Sequence, residues 1–303
     1  MSDAVVAAGK AATTPSFWRE KAAEFLTDRL AVFGFALLLL IVLSALVAPL
    51  VAPQNPYDLA QLDVLDARLP PGSAAGDGKT FLLGSDEQGR DVLSAILHGL
   101  RISLGVGALS TFIALAIGGM VGLWSAYKGG RWDSVIMRVV DLQLSFPAIL
   151  IALILLAALG QGIGKIIAAL VTVQWAYYAR TVRGTALAEK GKDYIAAAQG
   201  LALPTHRVLL RHLLPNCLPP LIVVASVQVA HAIALEATLS FLGLGLPITE
   251  PSLGLLIANG YQYLLSGKYW VSFFPGVALL LTIVSINLVA DRLRDVLNPR
   301  LAR

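Results

Sequence analysis

Histidine and cysteine, the residue types that most often carry out chemistry, are scarce in this sequence and are not spaced as a site. No histidine lies four residues from another, so the His-Glu-x-x-His spacing of a zinc hydrolase is absent. No serine stands in the Gly-x-Ser-x-Gly pattern of a nucleophile elbow. The single cysteine, Cys217, excludes an internal disulfide. We therefore expect no catalytic residue, no metal site and no enzyme activity.

A phosphate-binding loop is absent as well. The pattern Gly-x-x-x-x-Gly-Lys-Ser/Thr needs a glycine five residues before the Gly of a Gly-Lys pair, so that backbone N–H groups can surround the phosphates. Five Gly-Lys pairs occur, and none has a glycine at that position. Leu159, Ala186 and Gln262 stand there for the pairs at 164, 191 and 267, and Ala4 and Ser73 stand there for the pairs at 9 and 78. The chain is not expected to hydrolyse ATP by this route.

The composition indicates a membrane protein. Of the 303 residues, 57% are hydrophobic and 14% are charged, whereas about a quarter of the residues in soluble domains are charged. With a mean hydropathy of +0.74, the charged side chains are too few to cover a water-facing globule, so much of the surface must face lipid. The net charge of +4 is small and its basic residues form no stripe, so no nucleic-acid partner is expected.

Six apolar runs are long enough to cross a membrane. A helix rises about 1.5 Å per residue and the hydrocarbon core is roughly 30 Å thick, so about 20 residues are needed. The runs are continuous rather than alternating, which excludes a barrel and predicts an all-α integral membrane fold. The predicted spans are Leu30–Val51, Ile102–Tyr127, Val135–Leu159, Ile163–Ala179, Leu218–Leu239 and Val271–Ala290.

The basic residues predict the orientation of the chain in the membrane. Cytoplasmic connections carry an excess of Lys and Arg. With the N-terminus inside, most of the 23 Lys and Arg residues fall in inside segments and few fall in outside segments. We therefore expect both termini in the cytoplasm. The inside segments are 1–29, 128–138, 180–216 and 291–303, and the outside segments are 52–98, 160–165 and 246–271.

One acidic residue interrupts the fifth predicted span. A lone carboxylate at mid-membrane costs roughly 2.5–3.5 kcal/mol on insertion scales, so Glu236 should face the bundle interior or a cavity. It is expected either to line a passage, close to His231 five residues earlier, or to accept hydrogen bonds from neighbouring helices. The sequence leaves both alternatives open.

The cytoplasmic segment 180–216 contains two short apolar helical patterns. Pro204 separates them and suits the first turn of the second helix. The residues that define the two faces are Tyr194, Ile195, Ala198 and Leu201, and then Val208, Leu209, Leu213 and Leu214. Together they predict a compact helical projection at residues 193–216, called the knob below. The plainer alternative is a helical hairpin that only returns the chain to the membrane.

The knob resembles the EAA loop of ABC importer permeases. That family pattern is Glu-Ala-Ala, then a Gly, then an Ile-x-Leu-Pro ending. The stretches Asp193–Gly200 and Leu210–Asn216 carry the resemblance. The matching residues are Ala197, Ala198, Leu214 and Pro215, whereas Ala196 replaces the Glu, Ala202 the Gly and His212 the Ile.

Two further stretches resemble the dipeptide, oligopeptide and nickel group of these permeases. Residues 83–94 are similar to the segment Gly-Thr-Asp-x-x-Gly-Arg-Asp-x-x-Ser that precedes the second helix in that group. Residues 239–245 and 287–299 resemble its C-terminal part. The resemblance covers about residues 25 to 301 and is most specific to the second permease subunit, which carries the longer loop after its first helix.

The resemblance implies a type I ABC importer permease (MetI-like) fold in the inner membrane of a bacterium. It implies two permeases side by side, two cytoplasmic ATPases that bind ATP and Mg, and an extracytoplasmic solute-binding protein, with no cofactor in this chain. The cargo would be peptides, with nickel or glutathione as alternatives, and a self-sufficient secondary transporter as the competitor from another class. The implied segments are 1–29 as a cytoplasmic N-terminal segment, 30–51 as the first transmembrane helix, 52–98 as a periplasmic loop, 99–291 as a permease core of five helices, 180–216 as its coupling loop and 292–303 as a cytoplasmic tail.

In this picture the knob would seat in a groove of one ATPase. Gly200 and Ala202 would allow close approach of the ATPase. The apolar residues Leu203, Val208 and Leu209 would fill the groove. Arg207 and Arg211 would contact its rim. The residues implied to couple to the ATPase are Ala197, Ala198, Gly200, Leu203, Arg207, Val208, Leu209, Arg211 and Pro215.

Overall fold

The chain is helical along most of its length in the computed structural model, which describes residues 17–58, 62–76 and 78–297. A two-stranded antiparallel hairpin, β1 (Ser73–Ala74) and β2 (Thr80–Phe81), is added to the helices. The helices are α1 (Phe17–Phe25), α2 (Arg29–Val51), α3 (Val92–Lys128), α4 (Gly130–Ser145), α5 (Ala148–Leu159), α6 (Ile163–Lys190), α7 (Asp193–Gly200), α8 (Thr205–Arg207), α9 (Leu214–Phe241), α10 (Leu253–Tyr261) and α11 (Trp270–Leu297). A π-helical segment, Val208–Leu213, joins α8 to α9.

Four helices among the described residues are long and apolar enough to cross a membrane. They are α2, α3, the continuous helical stretch Thr205–Phe241, and α11. The fourth predicted span lies within α6, which is long enough to cross but less apolar than these four, because it includes Lys165, Gln174 and Arg180. An all-α membrane fold is thus confirmed, with fewer clear spans than the predicted six.

The predicted span Val135–Leu159 is not one continuous helix. This stretch is divided between α4 and α5, which are bent by 91° relative to each other, and counting the pair as one broken span gives five candidates. Pro147 has no N–H, and its ring disfavours the helical conformation at the residue before it. Phe146 is accordingly extended, with φ −93° and ψ 143°.

Helices α3 and α6 form the most extensive helix pair of the bundle. Two glycines one turn apart on α3 allow their close approach. A Cβ at Gly118 would lie 2.1 Å from the Trp175 carbonyl oxygen, and one at Gly122 would lie 2.3 Å from that of Ala179. The Thr111 hydroxyl also donates to Gln174 Oε1 at 3.2 Å. The pair therefore forms a rigid centre on which the other helices pack.

The segment between α2 and α3 is more ordered than the irregular loop predicted for 52–98. Helix α3 begins at Val92, because the Asp91 carboxylate caps it and accepts from the Ser94 N–H at 2.8 Å. Asp86 and Arg90 form a buried ion pair at 2.6 Å. The Trp270 indole N–H donates to the Ser85 carbonyl at 3.2 Å, which ties this segment to α11. We call the side that holds the β-hairpin and the starts of α3 and α11 the hairpin end, and the side that holds residues 193–216 the knob end.

The short apolar stretch before α11 forms helix α10, which does not lie on the surface. A Cβ on Gly254 would lie 2.3 Å from the Ala237 carbonyl oxygen, and one on Gly260 would lie 2.5 Å from the Ser272 nitrogen. These glycines hold α10 in close contact with α9 and α11. The helix is thus an internal part of the hairpin end.

Candidate functional site

The knob begins with α7 and turns at its end through a Schellman motif. The Leu203 N–H donates to the Ala198 carbonyl at 3.2 Å, and the Ala202 N–H donates to the Gln199 carbonyl at 2.9 Å. This pair of bonds requires a left-handed residue directly after the cap. Ala202 occupies that position with φ +52°. The geometry explains why the resembling loops carry Gly here, since an L side chain is strained in this conformation.

The base of the knob is an apolar cluster within the chain itself. Val208 and Leu209 are 0% and 7% exposed. The cluster joins α7 and the π segment to the knob ends of α3, α6 and α9, and its buried members include Leu123, Tyr178, Val182, Ala186, Ile195, Ala198, Val208, Leu209, Leu213 and Cys217. The expectation that Leu203, Val208 and Leu209 fill a partner's groove therefore needs correction, because these side chains pack against the knob's own helices. Ala198, also predicted to couple to the ATPase, is 4% exposed and belongs to the same cluster.

Polar contacts brace the knob where it leaves α6. The Tyr194 hydroxyl donates to Glu189 Oε2 at 2.7 Å and accepts from the Asn216 amide at 3.2 Å. Lys192 donates to the other oxygen of Glu189, also at 2.7 Å. Partial burial and the bonded Glu189 carboxylate raise the pKa of Tyr194 to about 12. One hydroxyl thus links the end of α6, helix α7 and the start of α9.

The knob end of α6 is bonded to α3 and α4 by charged side chains. The Lys190 ammonium donates to the carbonyls of Tyr127 at 2.7 Å and Ala126 at 3.2 Å. A cation suits the last carbonyls of a helix, which are otherwise without donors. On α4, Asp133 accepts two bonds of 2.6 Å from Arg183 and one of 2.6 Å from Ser125. The end of α6 that carries the knob is thus bonded directly to α3 and α4.

The outer face of the knob is exposed and partly apolar. A Cβ added to Gly200 would meet no atom within 4 Å. Sequence reasoning placed Leu201 on the inward face of α7, yet its side chain is 75% exposed, and Leu210 is 46% exposed. The turn at Ala202 explains the difference from the predicted face. Leu203 follows this left-handed residue and packs inward, whereas Leu201 precedes it and points outward. Of the predicted coupling residues, those on the exposed face are Ala197, Gly200, Arg207, Arg211 and Pro215.

The second half of the knob runs directly into the fifth predicted span. The Leu214 N–H donates to the Leu209 carbonyl, the wider spacing of a π turn. Pro215 follows with no N–H to donate, and the Asn216 side-chain amide donates to the His212 carbonyl at 2.8 Å. The knob and α9 thus form one continuous helical path with an irregular turn at their junction.

The other predicted site residues, Glu236 and His231, do not share a face. Glu236 is fully buried and accepts from the hydroxyls of Ser103 at 2.8 Å and Ser240 at 2.7 Å. His231 is exposed. Five residues of helix turn through about 500°, which places the two about 140° apart around α9. Sequence reasoning missed Ser103, because no spacing pattern relates a serine on α3 to an acid on α9.

The comparisons with known families agree with this architecture. A family model described as "Binding-protein-dependent transport system inner membrane component" matches residues 115–303. The chain belongs to this family. A second model, described as "N-terminal TM domain of oligopeptide transport permease C", matches residues 16–71. The two matches together take in α2 and most of the helical core, and they identify a multi-pass inner-membrane permease subunit.

Curated members of the family are similar over most of their length. The chain is 37% identical over 285 residues to a di/tripeptide transport system permease protein of Pseudomonas aeruginosa, which covers 94% of this chain and 91% of that protein. It is 34% identical over 288 residues to an oligopeptide transport system permease protein of Bacillus subtilis. This match covers 95% of this chain and 91% of that protein.

A solved structure of this permease class shares the fold. The methionine ABC transporter MetNI, in an inward-facing conformation, contains a chain that superposes with a TM-score of 0.53 at 21% identity. The superposition covers 67% of this chain and 96% of that chain. The predicted MetI-like fold is thus confirmed, and the remaining third of this permease lies outside the common core.

Proposed function

We propose that this permease subunit forms half of the translocation pathway for di- and oligopeptides in an ATP-driven importer. The observation that carries the proposal is the knob, an exposed apolar tip on a base braced to α3, α4, α6 and α9. A chain without a phosphate-binding loop can respond to ATP only through contact with another protein. The names of the peptide permeases that are 34% and 37% identical support peptides as the cargo.

The proposed machine contains a second permease, two ATPases that bind ATP and Mg in the cytoplasm, and an extracytoplasmic protein that delivers the solute. This chain contributes no cofactor and no catalytic site. The excess of Lys and Arg in 128–138 and 180–216 supports a cytoplasmic knob and cytoplasmic termini. The hairpin end then faces the solute-binding protein.

The mechanism is a two-state coupling. Closure of the ATPase pair displaces the knob, and Lys190, Arg183 and Tyr194 pass the displacement to the helices that they contact. A packed interface has two stable arrangements rather than a continuum, so the permease pair alternates between inward-open and outward-open states. ATP binding then changes the populations of these states through its different affinity for each.

The deciding experiment is uptake of a radiolabelled dipeptide into proteoliposomes. The complete importer, with its binding protein, should take up the dipeptide only when ATP is enclosed with the ATPases. Competition by an unlabelled tripeptide with ordinary α-peptide bonds should reduce uptake, whereas nickel ions or glutathione, a γ-linked tripeptide, should not. Competition by nickel or glutathione alone would assign the cargo to those alternatives.

The same vesicles test the competing class of transporter. The chain reconstituted alone with a proton or sodium gradient should show no uptake above that of empty vesicles. Gradient-driven uptake by this chain alone would contradict the proposal and identify a self-sufficient secondary transporter, which commonly binds its substrate where broken helices meet at the midplane.

A further inference from the structure

A groove of about 610 Å³ opens on the membrane face between α2, α3, α9 and α11. Its walls are apolar, with Leu38 and Leu46 from α2, Leu104 from α3, Val229 from α9 and Ile286 from α11. The Ser226 hydroxyl on its wall is already bonded to the carbonyl of Val223, at 2.8 Å. The groove therefore offers an occupant almost nothing but hydrocarbon contact along its length.

One charged side chain, Arg101, lines this groove. It is exposed, and the described residues give it no ion pair. On the knob side of Arg101, α3 runs without a charged residue for about 26 residues, or about 39 Å, which exceeds the roughly 30 Å of the hydrocarbon core. The guanidinium thus lies at headgroup depth on the leaflet nearer the hairpin end.

We propose that this groove binds an anionic phospholipid, with the phosphate at Arg101 and one acyl chain between the helices. A guanidinium matches phosphate oxygens in geometry and charge. Long basic side chains reach the interface in this manner and attract anionic lipid. A bound chain would fill the space that separates α2 from the central helices.

The exposed cation on the groove favours a lipid over an apolar helix of the second permease. A guanidinium covered by an apolar helix would lose its water without gaining a partner, whereas a phosphate accepts its hydrogen bonds. An acyl chain is narrow and flexible and can follow such a groove for its whole length. The lipid also supplies a negative partner for Arg101, which forms no ion pair among the described residues.

The test is native mass spectrometry of the full-length purified chain titrated with palmitoyl-oleoyl-phosphatidylglycerol or with the matching phosphatidylethanolamine. The wild type should retain phosphatidylglycerol in preference to phosphatidylethanolamine. Arg101→Gln should weaken retention of phosphatidylglycerol about fivefold, and Arg101→Lys should keep most of it. Lys165→Gln, an exposed cation away from the groove, should change nothing.

A second variant tests the acyl chain separately from the charge. A Cβ on Gly105 would meet no atom within 4 Å, so Gly105→Leu should fold while filling the groove, and retention of both lipids should fall. Equal binding by the wild type, Arg101→Gln and Gly105→Leu would overturn the proposal. An equal loss in Lys165→Gln would overturn it too, because the effect would then be general surface charge. Cysteine cross-linking from position 108 to the second permease in the assembled importer would show a protein helix in the groove instead.

Discussion

Two glycines at the hairpin end, Gly84 and Gly89, and Gly200 on the knob have opposite surroundings. At the hairpin end, a Cβ on Gly84 would lie 2.7 Å from the Leu69 carbonyl oxygen, and one on Gly89 would lie 2.1 Å from that of Asp63. At the knob, Gly200 faces open space. The first two glycines are required by the chain's own packing, whereas the third leaves room for something outside the chain.

Charged side chains show the same contrast. Arg90 and Asp86 at the hairpin end are 0% and 1% exposed and neutralise each other. Arg207 and Arg211 on the knob are exposed and have no ion pair within the described residues. The charges of Arg90 and Asp86 are therefore paired within the chain, while the knob keeps an apolar tip with a basic rim available for a partner.

The largest expected effect is on the knob. Gly200→Trp should leave the chain folded and inserted, because nothing lies where the new side chain begins. A bulky ring at the centre of the proposed contact should lower ATP-driven uptake more than about tenfold and abolish copurification of the ATPase. Uptake by proteoliposomes and a pull-down measure the two effects.

The control for this variant is Gly164→Trp at the hairpin end of α6, where a Cβ also meets nothing within 4 Å. It should transport at the wild-type rate. Normal uptake by Gly200→Trp would mean that the knob is not a docking surface, and the contrast between the two ends would lose its functional meaning.

The next effect concerns stability at the hairpin end. Gly89 has φ +75° in addition to its contact with Asp63. Gly89→Ala should combine left-handed strain of about 1–2 kcal/mol with overpacking of about 1–3 kcal/mol, and lower the thermal unfolding midpoint in detergent. Gly78 has φ +83° but open space around it, so Gly78→Ala should lower the unfolding midpoint by the strain alone. Equal losses in the two variants would show that the close approach to Asp63 is not rigid.

The buried acid of α9 gives a third, smaller effect. Ser103→Ala removes one of the two hydroxyls that Glu236 accepts from, which should cost about 1–3 kcal/mol of stability in detergent. Ser110→Ala is the matched control, because its buried hydroxyl bonds only to a carbonyl of its own helix, and it should unfold close to the wild-type temperature. If both variants unfold alike, the bond between α3 and α9 contributes nothing.

Uptake by the related variant Glu236→Gln addresses the two roles left open by the sequence. An amide keeps the shape of the carboxyl group and cannot ionise. Unchanged uptake of every peptide would leave Glu236 with a structural role. A change in uptake that differs between peptides would favour a role for Glu236 in lining the passage.

The elements that sequence reasoning located correctly are those fixed by composition over many residues. The apolar runs of α2, α3 and α11 need no knowledge of neighbours, since lipid alone requires about 20 such residues. Hydropathy begins at Ile102, whereas α3 begins at Val92 and is capped by Asp91, so the helix extends beyond its apolar run. The cap is a local signal, an Asp three residues before Ser94, that a hydropathy window averages away.

The orientation of individual side chains could be predicted less well. Pro147 was visible in the sequence, but an apolar run on both sides concealed the 91° bend that it produces. On the knob, Leu201 and Leu203 have the same chemistry and lie two residues apart, yet one is outside and the other is packed inward. That difference is set by the backbone of Ala202, which the residue type alone does not disclose.

The smallest effect follows from that same backbone and has the opposite sign. Ala202→Gly should relieve the left-handed strain of about 1–2 kcal/mol, while the added freedom of the unfolded chain returns about 0.5–1 kcal/mol. The net result is a knob stabilised by a few tenths to about 1 kcal/mol. Slower amide hydrogen exchange in α7 measures it, because the Schellman bonds close that helix.

Ala196→Gly provides the control, since Ala196 lies inside α7 and is exposed. There the same replacement should destabilise the helix by about 1 kcal/mol, so one substitution at two positions six residues apart should act in opposite directions. If both variants exchange faster, the strain at Ala202 is not real and the turn does not hold Leu201 outward. If only Ala202→Gly exchanges more slowly, the tip of the knob is a position where the chain accepts strain to present a leucine to its partner.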